Sequence, residues 1–419
     1  MNHHGRSVFG EEIAFLKQHI PVLVLEDPNS QAKIVIAPSL QARVLTSTAS
    51  GDNGQSFGWI NCELIKSGEK RKQINAFGGE DRFWLGPEGG QFSLFFNKGA
   101  SFEFENWQTP EAVDWGAWEQ TAATAGSASF SKEFQVKNYA GTEFQVLGER
   151  TINLLGRQTA EDLLKTGFGK SIKLAAYETV NSITNRGSAA WTKENGLLSI
   201  WILSMLKPSP GTVIVVPFNS GAKTSPEINS GYFGDIPADR FTVSGAAGFL
   251  KADGKFRSKI GLLPERSKGI AGSYAPDSKA LTIVACSQQP GVTDYVNSMW
   301  APFLQEPFRG DVINAYNDGP LTPDGAQLGP FYELESSSPA AAAAPGKGIT
   351  HIHRTFHFEG SEADLDQLAV KLLGVSLKQI CAVFYSAVTG AKKTPADAGV
   401  FKINTVPEIR SWRQSSQLC

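Results

Sequence analysis

The 419-residue chain has four cysteines, three methionines and six histidines. Cys62, Cys286, Cys381 and Cys419 lie far apart. No two stand at C-x-x-C spacing, so neither a zinc ribbon nor a redox pair is written here, and free thiols are expected. A disulfide framework belongs to much smaller secreted chains. Charge is sparse as well. Charged residues are 19% of the total, against ~25% in an average domain. Lys plus Arg is 39 and Asp plus Glu is 41, a formal charge of -2. That balance provides no field for nucleic acid or for an anionic membrane surface. No apolar run is long enough to cross a bilayer as a helix. The first twenty residues, MNHHGRSVFGEEIAFLKQHI, are interrupted by charges and lack the apolar core of a secretory signal. As written, the chain reads as soluble and cytoplasmic; a removed export leader is left open.

What the chain does have is glycine (42), phenylalanine (26) and tryptophan (9), within 41% hydrophobic residues. This mix suits pleated strands and tight turns. Short apolar runs at Pro21–Leu25, Lys33–Ala37, Gly211–Pro217 and Ala280–Ser287 are separated by Gly, Pro, Asn and Asp. Ser101–Glu105 alternates with period two and is predicted as a strand. Such signals recur for over three hundred residues with little helical period between them, which points to antiparallel sheets rather than βαβ units. Two helices are predicted. Phe9, Ile13 and Leu16 fall at i, i+4 and i+7 within 6–19. Near the end, Ser361 with Asp364 forms a capping-box-like start. Leu365, Leu368, Ala369 and Leu372 follow, and Gly374 stops the helix. The alanine run between Pro339 and Pro345 reads as a loop. The organisation expected is a helical extension over 1–19, a β domain over 20–358, and a helix with extension over 359–419 packed on the same domain.

Four clusters could carry chemistry. Asn75 to Gln91 interleaves five glycines with Glu80, Asp81, Arg82, Trp84 and Glu88. Arg82 offers a planar donor fork and Trp84 an apolar face on which a sugar ring could stack; the alternative is a solvated, turn-rich hairpin. Tyr332-Glu333-Leu334-Glu335 reads as a strand with both carboxylates on one face. Burial or mutual repulsion there would raise one pKa toward a value useful to a base; a solvent-facing strand is the alternative. His351, His353 and His357 share one face of another predicted strand. A neutral hydrogen-bonding or proton-donating His351 is the main expectation. A divalent metal on His351 and His353 is the minority one, and histidines bonded to cross-strand neighbours the structural one. Asn317 and Asp318 sit in an Asn-Asp-Gly-Pro turn, which local turn chemistry or a ligand could explain.

Taken together, these clusters resemble the galactose mutarotase-like superfamily, the aldose 1-epimerase type of β-supersandwich. Leu334-Glu335-Ser336, then Pro345-Gly346, then His351 resembles that family's Leu-Glu-Thr strand, loop and histidine strand. Asn75 to Arg82 resembles its Asn-to-Arg substrate segment, at different spacing. Tyr177 to Asn185, leading to Trp191-Thr192-Lys193-Glu194, resembles the strand before the family's central histidine. Here no histidine occurs between His19 and His351; Lys193 and Glu194 stand near the position instead. An uncharacterised branch without the central histidine fits this departure.

The resemblance implies an all-β fold, a large antiparallel supersandwich with a few peripheral helices, and a small-molecule carbohydrate as partner. It implies Glu335 as general base, with His351, Glu194 or Lys193 supplying the acid. Asn75, Arg82, Trp84, Asn317, Asp318 and His353 would hold the sugar, and no cofactor is required. The alternatives are a sugar-binding protein without chemistry, and a metal-assisted lyase or hydrolase using His351, His353 and Glu335 or Glu333.

Overall fold

A computed structural model describes residues 8–224, 226–321 and 325–384. In chain order the strands are β1 (Leu23–Glu26), β2 (Lys33–Ala37), β3 (Arg43–Thr48), β4 (Gly79–Gly86), β5 (Glu119–Ala123), β6 (Ser127–Lys137), β7 (Glu143–Leu154), β8 (Lys173–Asn185) and β9 (Ser199–Met205). They continue with β10 (Val213–Pro217), β11 (Phe241–Ser244), β12 (Ala247–Lys251), β13 (Ser258–Leu262), β14 (Ile270–Ala275), β15 (Ala280–Cys286), β16 (Ile313–Asn317), β17 (Tyr332–Ser337) and β18 (Gly348–Glu359). They form two antiparallel sheets. The first runs β1-β2-β3-β4-β9-β17-β16-β13 and the second β11-β12-β10-β14-β15-β18-β8-β7-β6-β5. The fold is all-β, as the strand signals predict.

The period-two pattern explains why the sheets stack. Ile34, Ile36 and Val44 of the first sheet pack with Phe130, Val146, Ile152 and Ile183 of the second. At the other end Ile260, Ile313, Ala315 and Leu334 meet Ile214, Val216, Ala271 and Val284. Each Val, Ile, Leu or Phe side chain among them contributes about 1.5–3 kcal/mol when fully removed from water.

Alternate residues face outward and need cover. On the first sheet, Val35, Ala37 and Leu45 are covered by helix α1 (Phe9–His19), through Phe9, Ile13 and Leu16, and by α2 (Cys62–Ser67), through Leu64 and Ile65. A short α3 (Glu111–Asp114) follows β4 in the chain. On the second sheet, Val215, Phe249, Ile283, Phe356 and Phe358 are covered by α4 (Arg157–Leu164), α5 (Glu362–Leu373) and α6 (Leu377–Ala382). The rest of the first sheet's outer face, on β4, β9, β17, β16 and β13, is lined instead by the cleft described below.

The predicted terminal helices form. Ser361 accepts from the Asp364 N–H, and Gly374 ends α5 with φ of 75°. The Asp364 carboxylate does not complete a capping box; it accepts from the backbone N–H and hydroxyl of Ser171. The Ser101–Glu105 prediction fails. That stretch is a bend leading into a 3-10 turn at Phe104–Asn106. Phe102 stacks on Phe96 at 4.3 Å and Phe104 on Trp107 at 6.0 Å, so its alternating aromatics serve a side-chain cluster. Residues 339–345 are a loop, as the flanking prolines require. Cys62, Cys286 and Cys381 are free thiols; Cys419 and the extension beyond residue 384 lie outside the described residues. Among the described residues, no helix is long and apolar enough to cross a membrane.

Candidate functional site

The site begins with a register shift in β4. Against β9, Gly79 pairs with Met205 and Arg82 with Leu203, so an extra residue is accommodated between them. A bulge of this kind re-aims side chains. Glu80 and Asp81 both reach residues of the second sheet, while Arg82 and Trp84 turn to the outer face. On β17 the alternation is regular. Glu333 and Glu335 face outward, as their spacing predicts. Tyr332 bonds Ser273 and Ser336 bonds histidines of the second sheet, so both face inward.

These outward side chains line a cleft with Trp201, Leu203 and Met205 of β9, Tyr316 of β16 and Lys259 of β13. Loops add Glu88, Phe104, Trp107, Phe233, Arg257 and Trp300. The cavity between the walls has a volume of about 60 Å³. That is room for a few ordered waters, or for one small ring that displaces them.

Aromatic rings form much of the wall. Trp84 meets Trp201 edge-on at 5.5 Å, and Trp107 stacks toward Trp300 at 6.1 Å. Cations lie on these rings: Arg82 is 4.8 Å from the Trp84 centroid and Lys259 is 4.6 Å from that of Trp201.

The charges are paired but not saturated. Arg82 donates from Nη2 to Glu333. Lys259 Nζ and Trp201 Nε1 each donate to Glu335 Oε2 at 2.9 Å. Glu335 is fully buried, yet its Oε1 has no partner. Arg82 Nε and Trp84 Nε1 are also buried without an acceptor. Orphaned polar atoms cost about 1–3 kcal/mol each, which gives a ligand with matching groups an opening.

Burial pushes the Glu333 carboxyl up to about 8; Arg82 works against this and the neighbouring Glu335 adds to it. Burial also raises Glu88, partly offset by Lys259. For Lys259 burial acts downward, but attraction to Glu335, Glu88 and Glu333 outweighs it and its pKa is raised. The cleft therefore holds a protonated amine beside Glu335 and, two residues away, a carboxyl whose pKa burial raises.

The profile of a family of unknown function, DUF6786, matches residues 7–384. The chain belongs to the DUF6786 family. No curated protein matches this DUF6786 chain. Among solved structures it is similar to a Synechocystis protein, at 15% identity and a TM-score of 0.46, over 82% of this chain and 96% of the other. It is similar to a galactose mutarotase-like protein from Lactobacillus casei, at 12% identity and a TM-score of 0.45, over 81% and 100%. It is likewise similar to the aldose epimerase homologue from C. elegans, at 11% identity and a TM-score of 0.45, over 81% and 99%.

Of the residues singled out from the sequence, Arg82, Trp84, Glu88, Glu333 and Glu335 line the cleft of this DUF6786 protein. The others lie elsewhere. His351 and His353 are fully buried between the sheets and share the Ser336 hydroxyl, at 2.7 and 2.8 Å. Ser336 follows Glu335 on the strand and so points to the opposite face. Burial pulls both histidines down to about 3, with the neighbouring His353 adding to the effect on His351, and Arg150 and Arg354 to that on His353. Neither is placed to protonate a sugar in the cleft. The ligand set of the metal-assisted alternative does not converge either, because the glutamates face away from the histidines. Among the described residues, no three His, Cys, Asp or Glu are grouped to hold a metal ion.

Lys193 is about half exposed and pairs with Asp294 at 2.6 Å. Glu194 is exposed, and bonds from its own backbone N–H and from Thr192 hold its carboxyl below the usual range. Both sit in the loop after Arg186, away from the cleft lining, which corrects their assignment as acids. Asn75 is tied to Asp114 through its backbone and side chain. Asn317 accepts from Gly254 N–H at 2.8 Å and donates to Phe256 O at 2.9 Å. Asp318 accepts from Tyr316 Oη at 2.6 Å and from Gly329 N–H at 3.0 Å. These three brace the cleft wall rather than line it. The sequence reading did not single out Lys259, Arg257 or Trp201. For the two cations the one legible signal is the Arg257-Ser258-Lys259 spacing, which puts both on one strand face just as Glu333 and Glu335 put two acids on another.

Proposed function

We propose that this protein binds a single sugar ring in the aromatic cleft and moves protons at its anomeric centre, with Glu335 as the base. The observation that carries this reading is the Glu335 carboxyl itself. An indole N–H and an ammonium hold one oxygen, and the other is buried at the cleft without a partner. A pyranose has an apolar C–H face that suits indole rings and a rim of hydroxyls that suits orphaned donors and acceptors. In the proposed reaction, Glu335 takes the anomeric hydroxyl proton. The bond from the anomeric carbon to the ring oxygen breaks as the carbonyl forms, and Glu333 gives its proton to the ring oxygen. Closure on the other carbonyl face returns both protons. A base beside a carboxyl of raised pKa suits this division of labour.

A second reading, sugar binding without turnover, is favoured by one observation: both glutamates are already engaged by cations. Polarimetry and NMR of anomer interconversion over a panel of aldoses separate the two. The first reading expects acceleration over buffer that falls at least ~100-fold in Glu335→Gln. Calorimetric binding with no acceleration leaves the second. Acceleration that survives in Glu335→Gln removes Glu335 as the base.

A further inference from the structure

Three cations line the cleft, and they are not equivalent. Arg82 is paired with Glu333, and Lys259 with Glu335. Arg257 has no hydrogen bond and no ion pair among the described residues, although it lines the same cleft and is partly shielded from solvent. Its guanidinium lies over the Phe233 ring, 3.9 Å from the centroid, and 5.9 Å from that of Trp300. Rings beside a guanidinium limit its motion while leaving its in-plane N–H fork open, the geometry that receives a carboxylate or phosphate bidentately.

The backbone under this side chain is also held. A Cβ at Gly319 would come within 2.5 Å of the Arg257 backbone nitrogen, so the 318–320 stretch that follows β16 packs directly against it. Asn317 fixes the adjoining Gly254 and Phe256 through the bonds given above. The turn residues that looked like ligands in the sequence are therefore the support of a preformed arginine. Arg257 also stands two residues from Lys259 at the start of β13, which sends both side chains to one face. An anionic group at Arg257 would thus belong to the same small molecule whose ring lies near Lys259 and Glu335.

We propose that the cleft takes an anionic sugar and that Arg257 receives its negatively charged oxygens. This rests on the sugar-binding reading above and narrows it to a substrate class, a monosaccharide bearing a carboxylate or a phosphate.

The test is calorimetry on the full chain at low salt with galactose, glucose, galacturonate, glucuronate and glucose 6-phosphate, using the wild type, Arg257→Gln and Arg257→Lys. The expected result is that a charged sugar binds about tenfold or more tighter than its neutral counterpart, a preference that shrinks with added salt. In Arg257→Gln the charged-to-neutral ratio falls to about one, and Arg257→Lys restores part of it. The uronate and phosphate arms decide which anion is meant. Equal affinity for charged and neutral sugars overturns this proposal and leaves the sugar reading intact, as does an unchanged ratio in Arg257→Gln. Binding of no sugar, charged or neutral, overturns both. Thermal unfolding of each variant identifies one that has failed to fold, and the salt dependence of the wild-type preference then decides alone.

Discussion

Strands β4 and β17 carry two sets of buried polar groups on opposite faces, and the sets differ in how completely their acids are satisfied. Between the sheets, Glu80 Oε1 accepts from the Ser47 N–H and hydroxyl, and Oε2 accepts from Tyr177 and lies 3.0 Å from His357 Nε2. Asp81 accepts from Arg150 on one oxygen and from Thr179 on the other. On the cleft face, Glu335 has one oxygen bonded and one empty-handed, and Arg257 makes no hydrogen bond or ion pair among the described residues, although its charge acts on Glu88 and Asp318. The difference separates a structural polar network from a site. The acids inside the sandwich are completed by hydroxyls, an N–H, a histidine and an arginine, whereas Glu335 in the cleft keeps one oxygen free for a ligand.

The largest expected effect comes from breaking the satisfied side. Arg150 and Asp81 are both fully buried. Arg150→Met leaves the Asp81 carboxylate uncompensated between the sheets and should cost about 3–5 kcal/mol in urea unfolding. A loss under about 1 kcal/mol would show that this network is no more essential than the cleft. The second effect is a pH dependence in the same region. His351 and His353 stand at about 3 when folded, against an ordinary 6.5. Above 6.5 both folded and unfolded chains keep them neutral. Below it the unfolded chain takes up protons that the folded chain refuses, so stability falls with pH from about 6.5 toward 3. Each histidine should contribute a loss of about 2 kcal/mol by pH 5. Urea midpoints between pH 7 and 5 check this, and His351→Gln should flatten the slope. A flat wild-type curve over that interval would mean that the sandwich interior tolerates the charged form.

The architecture was legible because burial on alternate faces imprints itself locally. Lys33–Ala37 is a strand with the predicted bounds, and the 348–359 strand contains the predicted run of histidines on one face. The site was legible only within single strands. Spacing alone put Glu333 with Glu335, and it does not tell which sheet lies on which side of β17. That is why His351, adjacent to the glutamates in space, read as a partner in the cleft when it lies across the strand from it. Lys259 meets Glu335 across 76 positions of sequence through the β13-β16-β17 pairing. No local period records such a contact. Lys193 and Glu194 misled for the opposite reason: resemblance fixed their place along the chain, while the loop holds them at the surface.

The smallest stability effect expected is the one that sharpens the comparison most. Glu335→Gln keeps an acceptor for the Trp201 indole and removes a carboxylate from beside Glu333, whose own pKa that neighbour raises. Lys259 loses its direct ion pair but retains the attraction of Glu88 and Glu333. Losses and gains offset, so unfolding free energy should change by no more than about 1 kcal/mol, as when a functional residue carries a stability cost of its own. The same substitution should abolish any sugar turnover the wild type has. Urea unfolding and the anomerisation assay on one preparation read both quantities. If Glu335→Gln instead destabilises the chain as much as Arg150→Met does, Glu335 belongs with Asp81 as part of the frame, and its unpartnered oxygen is not a catalytic one.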